Sequence, residues 1–97
     1  MEPVYMRHTE TQSIRGDKII LYYFTYEGNS RYGVGIDMYT QRPEERTLRE
    51  RKIVEDIFSK KGDAEKFVDT LCRGYVTPAT LEDIIKDNII SEKTKTS

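Results

Sequence analysis

The chain has 97 residues, enough for one domain, with 36% hydrophobic and 34% charged residues. Its formal net charge of −1 argues against capture of nucleic acid or an acidic membrane by bulk charge. A single cysteine, Cys72, rules out an internal disulfide, and no apolar run approaches the length of a membrane span. With no apolar leader in MEPVYMRHTE either, a cytoplasmic protein that does not enter membranes is expected.

The first element is weak. VYMRHTETQSI alternates loosely, with Val4, Met6 and His8 on one side, and suits an edge strand that returns through Arg15-Gly16-Asp17. That tripeptide reads as a tight turn rather than an adhesion motif, since no secretory leader accompanies it. Lys18–Glu27, KIILYYFTYE, is rich in β-branched and aromatic residues and predicts a strand. Gly28-Asn29-Ser30 has turn composition, and residues 31–39, RYGVGIDMY, alternate as a second strand of a hairpin.

Placing Gly28-Asn29 at the tip pairs Ile19 with Met38, Leu21 with Ile36, Tyr23 with Val34 and Thr25 with Tyr32. That face is apolar and should be the core. The other face pairs Ile20 with Asp37, Tyr22 with Gly35, Phe24 with Gly33 and Tyr26 with Arg31. Each glycine then lies under an aromatic ring, which compensates its poor strand propensity. A phosphate-cradling role for Gly33-Val34-Gly35 would need a glycine turn between a strand and a helix, which this stretch is not.

Residues 40–47, TQRPEERT, read as a polar connection. Residues 50–58, ERKIVEDIF, fit either a helix stripe or a strand; the charges between Leu48 and Ile53 favour a third strand. Beyond it the period becomes helical. Ala64, Phe67, Val68, Leu71 and Cys72 form a stripe, with Asp63 as the expected cap and Gly74 as the stop. Cys72 is expected to be a buried packing residue. A second helix is expected from Thr77 as N-cap, with Pro78 in the first turn, and Leu81, Ile84, Ile85 and either Asn88 or Ile89 facing inward. Residues 91–97, SEKTKTS, are expected to be a disordered polar tail after a single domain over residues 1–90. The sum is an α+β fold: a three- or four-stranded antiparallel meander followed by two C-terminal helices packed on one face.

YGVGI (32–36) and the run VEDIFSKKGDAEKFVDTLCRGYVTPATLEDIIKDNI (54–89) resemble a family of small uncharacterised proteins from spore-forming Firmicutes. The match covers about half of the chain. Its most specific part is Val76-Thr77-Pro78 with Leu81, Asp83, Ile84, Ile85 and Asp87. Phe58 before Ser59 departs from the family's Ile-Ser step. The resemblance implies a cytosolic protein of a sporulating bacterium and carries no activity, so no functional residue transfers from it.

Chemistry is sparse. One histidine, His8, and one cysteine do not make a zinc set of the usual kind. A Cys72–His8 dyad requires a base beside an accessible thiol, which the stripe position of Cys72 opposes. The adjacent carboxylates Glu55 and Asp56 point apart in a strand, and Asp83 and Asp87, one helical turn apart, read as a solvated face. Catalytic, cofactor-binding and metal-ligating residues are therefore expected to be absent, and the chain is not expected to be an enzyme.

The apolar second face of the hairpin stands out. Ile20, Tyr22, Phe24, Tyr26 and Arg31 form a candidate interaction face for a homodimer or a protein partner. The competing reading covers that face with the N-terminal strand or with residues 42–49. A further alternative is a small nucleic-acid-binding domain that combines Arg46, Arg49, Arg51 and Lys52 with Tyr22 and Tyr26; Glu44, Glu45 and Glu50 interrupt its charge.

Overall fold

The computed structural model describes residues 3–87. Four strands, β1 (Pro3–Gln12), β2 (Lys18–Glu27), β3 (Tyr32–Arg42) and β4 (Glu45–Phe58), form one antiparallel sheet in chain order. They are followed by helix α1 (Lys61–Arg73), a 3₁₀ turn (Pro78–Thr80) and a short helix α2 (Leu81–Ile85). The expected α+β meander with C-terminal helices is therefore the fold, with four strands. Asn88, Ile89 and the 91–97 tail lie outside the described residues.

The first hairpin turn spans residues 13–17 and centres on Ile14 and Arg15, one residue earlier than expected. Gly16, at φ 88°, takes the left-handed conformation, and its N–H donates to the Ser13 carbonyl at 2.9 Å. Residues 40–47 are not a connection. Thr40, Gln41 and Arg42 still belong to β3, and β4 opens at Glu45, so only Pro43 and Glu44 turn the chain. Polarity misled here because β4 is an edge strand that wets much of both its faces, so its first half carries no apolar alternation.

The β2–β3 hairpin keeps the expected faces but slips by two residues. Gly28 N–H donates to the Arg31 carbonyl at 2.7 Å, which puts Asn29-Ser30 at the tip. Leu21 then pairs with Met38, Tyr23 with Ile36, Phe24 with Gly35 and Tyr26 with Gly33. A two-residue slip leaves every side chain on its original face, so alternation cannot detect it.

Helix α1 lies across β2 and β1 and closes the core on one face. Leu21, Tyr23, Val34 and Ile36 from the sheet meet Val68, Leu71 and Leu81, all fully buried. The Tyr23 hydroxyl donates to the Val76 carbonyl at 2.8 Å, which ties the sheet to the segment after α1. Asp63 lies in the first turn of α1, where its charge suits the helix dipole, but the N-cap is Lys60 and makes no side-chain cap bond. Gly74 does end the helix. The left-handed residue is the next one, Tyr75 at φ 52°, with Tyr75 N–H on the Cys72 carbonyl and Val76 N–H on the Leu71 carbonyl, both at 3.2 Å. That is the paired bonding of a Schellman ending, with tyrosine where glycine is usual.

Thr77 caps the 3₁₀ turn rather than α2, and its hydroxyl meets the Thr80 hydroxyl at 3.3 Å instead of a backbone N–H. Thr77→Ala is therefore expected to cost well under the about 1 kcal/mol typical of a lost helix cap. Urea denaturation of the two proteins checks this; a loss of a full cap's worth would place the helix start at Thr77 after all.

Candidate functional site

The sheet face opposite α1 is built in rows across the strands. Register sets Met6, Phe24, Gly35 and Ile53 side by side, then His8, Tyr22, Asp37 and Arg51, then Glu10, Ile20, Tyr39 and Leu48. Among the described residues, no helix packs on these rows. The side chains shelter one another instead. Ile20 is 3% exposed, Tyr26 3% and Phe24 9%, whereas Tyr22 is half-buried and Arg31 exposed.

The two glycines make this sheltering work. A Cβ on Gly33 would lie 2.6 Å from the Tyr26 hydroxyl oxygen and ring, and one on Gly35 would run into the Phe24 ring. The aromatic rings therefore lie flat on bare backbone, as glycine in a strand allows. The partners differ from the sequence expectation: Phe24 covers Gly35 and Tyr26 covers Gly33, a consequence of the two-residue slip.

Arg46 reaches from the start of β4 over both tyrosine rings of the face. Its guanidinium carbon is 6.0 Å from the Tyr22 centroid and 5.9 Å from that of Tyr39, and Nη1 donates to the Tyr22 hydroxyl at 3.0 Å. Arg51 forms a two-pronged bond with Asp37, Nε on Oδ1 at 2.7 Å and Nη2 on Oδ2 at 3.0 Å. The β3–β4 register that makes this pair depends on a shift between Met38 and Tyr39, which alternation does not reveal. Around it runs a groove of about 340 Å³ lined by Met6, Phe24, Tyr26, Asp37, Arg51 and Ile53. Met6 (49% exposed) and Ile53 (39%) form its two apolar banks.

The basic run is divided between the faces. Arg46 and Arg51 belong to this face, while Arg49 bonds the Thr40 hydroxyl and Lys52 pairs with Glu82 at 2.6 Å on the helix side. The Cys72 thiol is half-buried rather than fully buried. It donates to the backbone carbonyl of His8 at 3.6 Å, and burial pushes its pKa up. The His8 ring lies on the other side of the sheet, 5.8 Å from the Tyr22 ring, so thiol and imidazole do not meet. Glu55 and Asp56 lie at a break in β3–β4 pairing, with Asp56 left-handed at φ 55°. Among the described residues no group of three or more metal-ligating side chains occurs.

On the helix side, Tyr5, Arg7 and Asp69 clasp β1 to α1. The Tyr5 hydroxyl donates to Asp69 at 2.6 Å, and Arg7 Nε donates to both at 2.8 and 3.0 Å. The Tyr5 hydrogen bond, the largest influence, holds the Asp69 carboxyl below its usual range against the opposing effect of burial, and Arg7 adds a smaller lowering contribution. A depressed folded-state pKa stabilises above the unfolded value and loses that stabilisation as pH falls through the folded one. Wild type is therefore expected to lose more thermal stability than Asp69→Asn on acidification below about pH 4. Parallel melting curves across that range test it; equal losses would remove Asp69 from the clasp.

Fold and face together define a small α+β domain whose sheet has one helix-covered face and one that is open among the described residues. The chain belongs to the DUF6514 family of unknown function, whose model matches residues 3–91. No curated protein and no solved structure matches it. No helix among the described residues is long and apolar enough to cross a membrane.

Proposed function

We propose that this chain is a non-enzymatic protein-interaction module that pairs with a second copy through its open sheet face. The observation that carries the reading is the groove banked by Met6 and Ile53, an apolar strip on the broad face that no helix among the described residues covers. Four strands about 4.8 Å apart and about ten residues long offer on the order of 600 Å² in projection, close to one partner's share of a standard interface. A net charge of −1 gives two copies little reason to repel. The separation of His8 from Cys72 supports a role without nucleophilic catalysis. The single thiol and the C-terminal Val76-Thr77-Pro78 pattern support a cytoplasmic protein of a spore-forming Firmicute.

Nucleic-acid binding is the weaker reading. The basic run is split across the sheet, Arg51 and Lys52 are each held by a carboxylate, and Tyr26 is too buried to stack on a base. Sedimentation velocity over a concentration series tests the dimer. Wild type is expected to associate, and Met6→Asp with Ile53→Asp to give a folded monomer with an unchanged circular dichroism spectrum. A wild-type protein that stays monomeric throughout would overturn the proposal.

A further inference from the structure

We propose that the outer edge of β1, together with the groove between β1 and α1, docks an extended acidic peptide that joins the sheet as an antiparallel fifth strand. β1 ends the sheet, and among the described residues no strand pairs with its far side. The inference does not rest on self-association through the open face.

The direction of the β1 backbone follows from its turn. Ser13 N–H donates to the Asp17 carbonyl at 2.9 Å, so these two residues form a bonded pair of the ladder. Bonded and non-bonded pairs alternate along an antiparallel ladder. Counted back through the register, Thr11, Thr9, Arg7 and Tyr5 bond to Ile19, Leu21, Tyr23 and Thr25. Met6, His8 and Glu10 therefore aim their N–H and C=O groups away from β2. The His8 carbonyl agrees, since it accepts the Cys72 thiol of α1, and its second lone pair stays free for a strand. Such a row of unmade backbone bonds is a template for another strand, and edges are commonly guarded by charge. β4, the opposite edge, is charged at more than half of its positions. β1 carries only Arg7 and Glu10 besides His8.

The groove supplies the selectivity. It has a volume of about 320 Å³ and is lined by Arg7, Asp69, Cys72 and Arg73. The Cys72 thiol, in reaching the His8 carbonyl, sets this groove against the free edge. Residues of an added strand opposite Tyr5 and Arg7 turn their side chains to the helix side and enter it, because directly opposed residues share a face. Two guanidinium groups meet one carboxylate there. Asp69 is engaged by Tyr5 and Arg7, whereas Arg73 is exposed and forms no ion pair among the described residues. An entering glutamate finds net positive charge, and an entering lysine is repelled. Strand addition is a recurring mode of peptide recognition, in which backbone bonds supply affinity and pockets for alternate side chains supply specificity.

Titration of the full chain with a capped peptide alternating threonine and glutamate over about seven residues tests the site. Amide-resolved NMR is expected to show saturable shifts at Met6, His8 and Glu10 and slowed exchange of their N–H groups with solvent. The same peptide with lysine in place of glutamate is expected not to bind. N-methylation separates strand addition from charge attraction alone. At the central threonine, whose N–H must reach β1, it is expected to abolish binding; at the adjacent glutamate, whose N–H faces away, it is expected to leave binding intact. Arg73→Gln is expected to fold and to weaken binding about two- to fivefold, the worth of an exposed ion pair. Absence of saturable shifts, equal binding of the lysine peptide, equal effects of the two N-methylations, or an undiminished response in folded Arg73→Gln would each overturn the proposal.

Discussion

Leu21→Ser is expected to leave the domain largely unfolded, while Tyr22→Ser stays folded. Leu21 is 1% exposed and packs into the cluster with Tyr23, Val34, Ile36, Val68, Leu71 and Leu81. Removing such a side chain costs about 2–5 kcal/mol. A serine hydroxyl left without a partner there adds about 1–3 kcal/mol. Total stability for a domain of this size is about 5–15 kcal/mol, and a small core sits toward the lower end. Tyr22 is half-buried, and its ring loses contacts to His8, Tyr39 and Arg46 at the sheet surface. Its replacement should cost about 1–3 kcal/mol. Phe24→Ser falls between the two, because Phe24, although on the open face, is 9% exposed over Gly35. Circular dichroism with urea denaturation ranks the three variants; a Tyr22→Ser protein as unfolded as Leu21→Ser would make the open face part of the main core.

Gly33→Ala is expected to be the most damaging small substitution, at about 1–3 kcal/mol or more of overpacking. The added methyl would meet the Tyr26 ring and hydroxyl at 2.6 Å and the Val54 carbonyl oxygen at 2.8 Å. The ring can swing only by giving up its burial, and the carbonyl belongs to the neighbouring strand's backbone. At Gly35 the three nearest atoms all belong to the Phe24 side chain, whose ring can lift toward the open face. Gly35→Ala should therefore be the milder of the two. Thermal melts of both variants decide the order, and a Gly33→Ala protein with wild-type stability would show that the Tyr26 ring does not rest on that glycine.

The open face was legible in part. Alternation in KIILYYFTYE and RYGVGIDMY put Ile20, Tyr22, Phe24 and Tyr26 together opposite the core, because side chains alternate strictly along a strand. The sequence also shows large rings and bare glycines at matching parity, so rings over glycines were foreseeable in kind. Which ring covers which glycine was not foreseeable. Nothing local separates a Gly28-Asn29 tip from an Asn29-Ser30 tip, and the two differ by a slip that preserves both faces.

Other features were settled by contacts distant in sequence. The Asp37–Arg51 bond, the reach of Arg46 over Tyr22 and the division of the basic run follow from the β3–β4 register and its two irregularities. That the Tyr26 hydroxyl finds no partner among the described residues depends on how its ring lies across a neighbouring strand. Thr77-Pro78 announced a helix start truthfully in kind, yet the chain makes a 3₁₀ turn before α2, since a single turn's bonding is decided by packing of Pro78 and Leu81 against the sheet. By itself, then, the sequence determined the α+β class, the two strand faces and the helix α1 stripe, all consequences of periodicity that each segment carries alone. Tertiary structure decided the register, the ion pairs and the groove on the open face, because these depend on which strands become neighbours and at what offset.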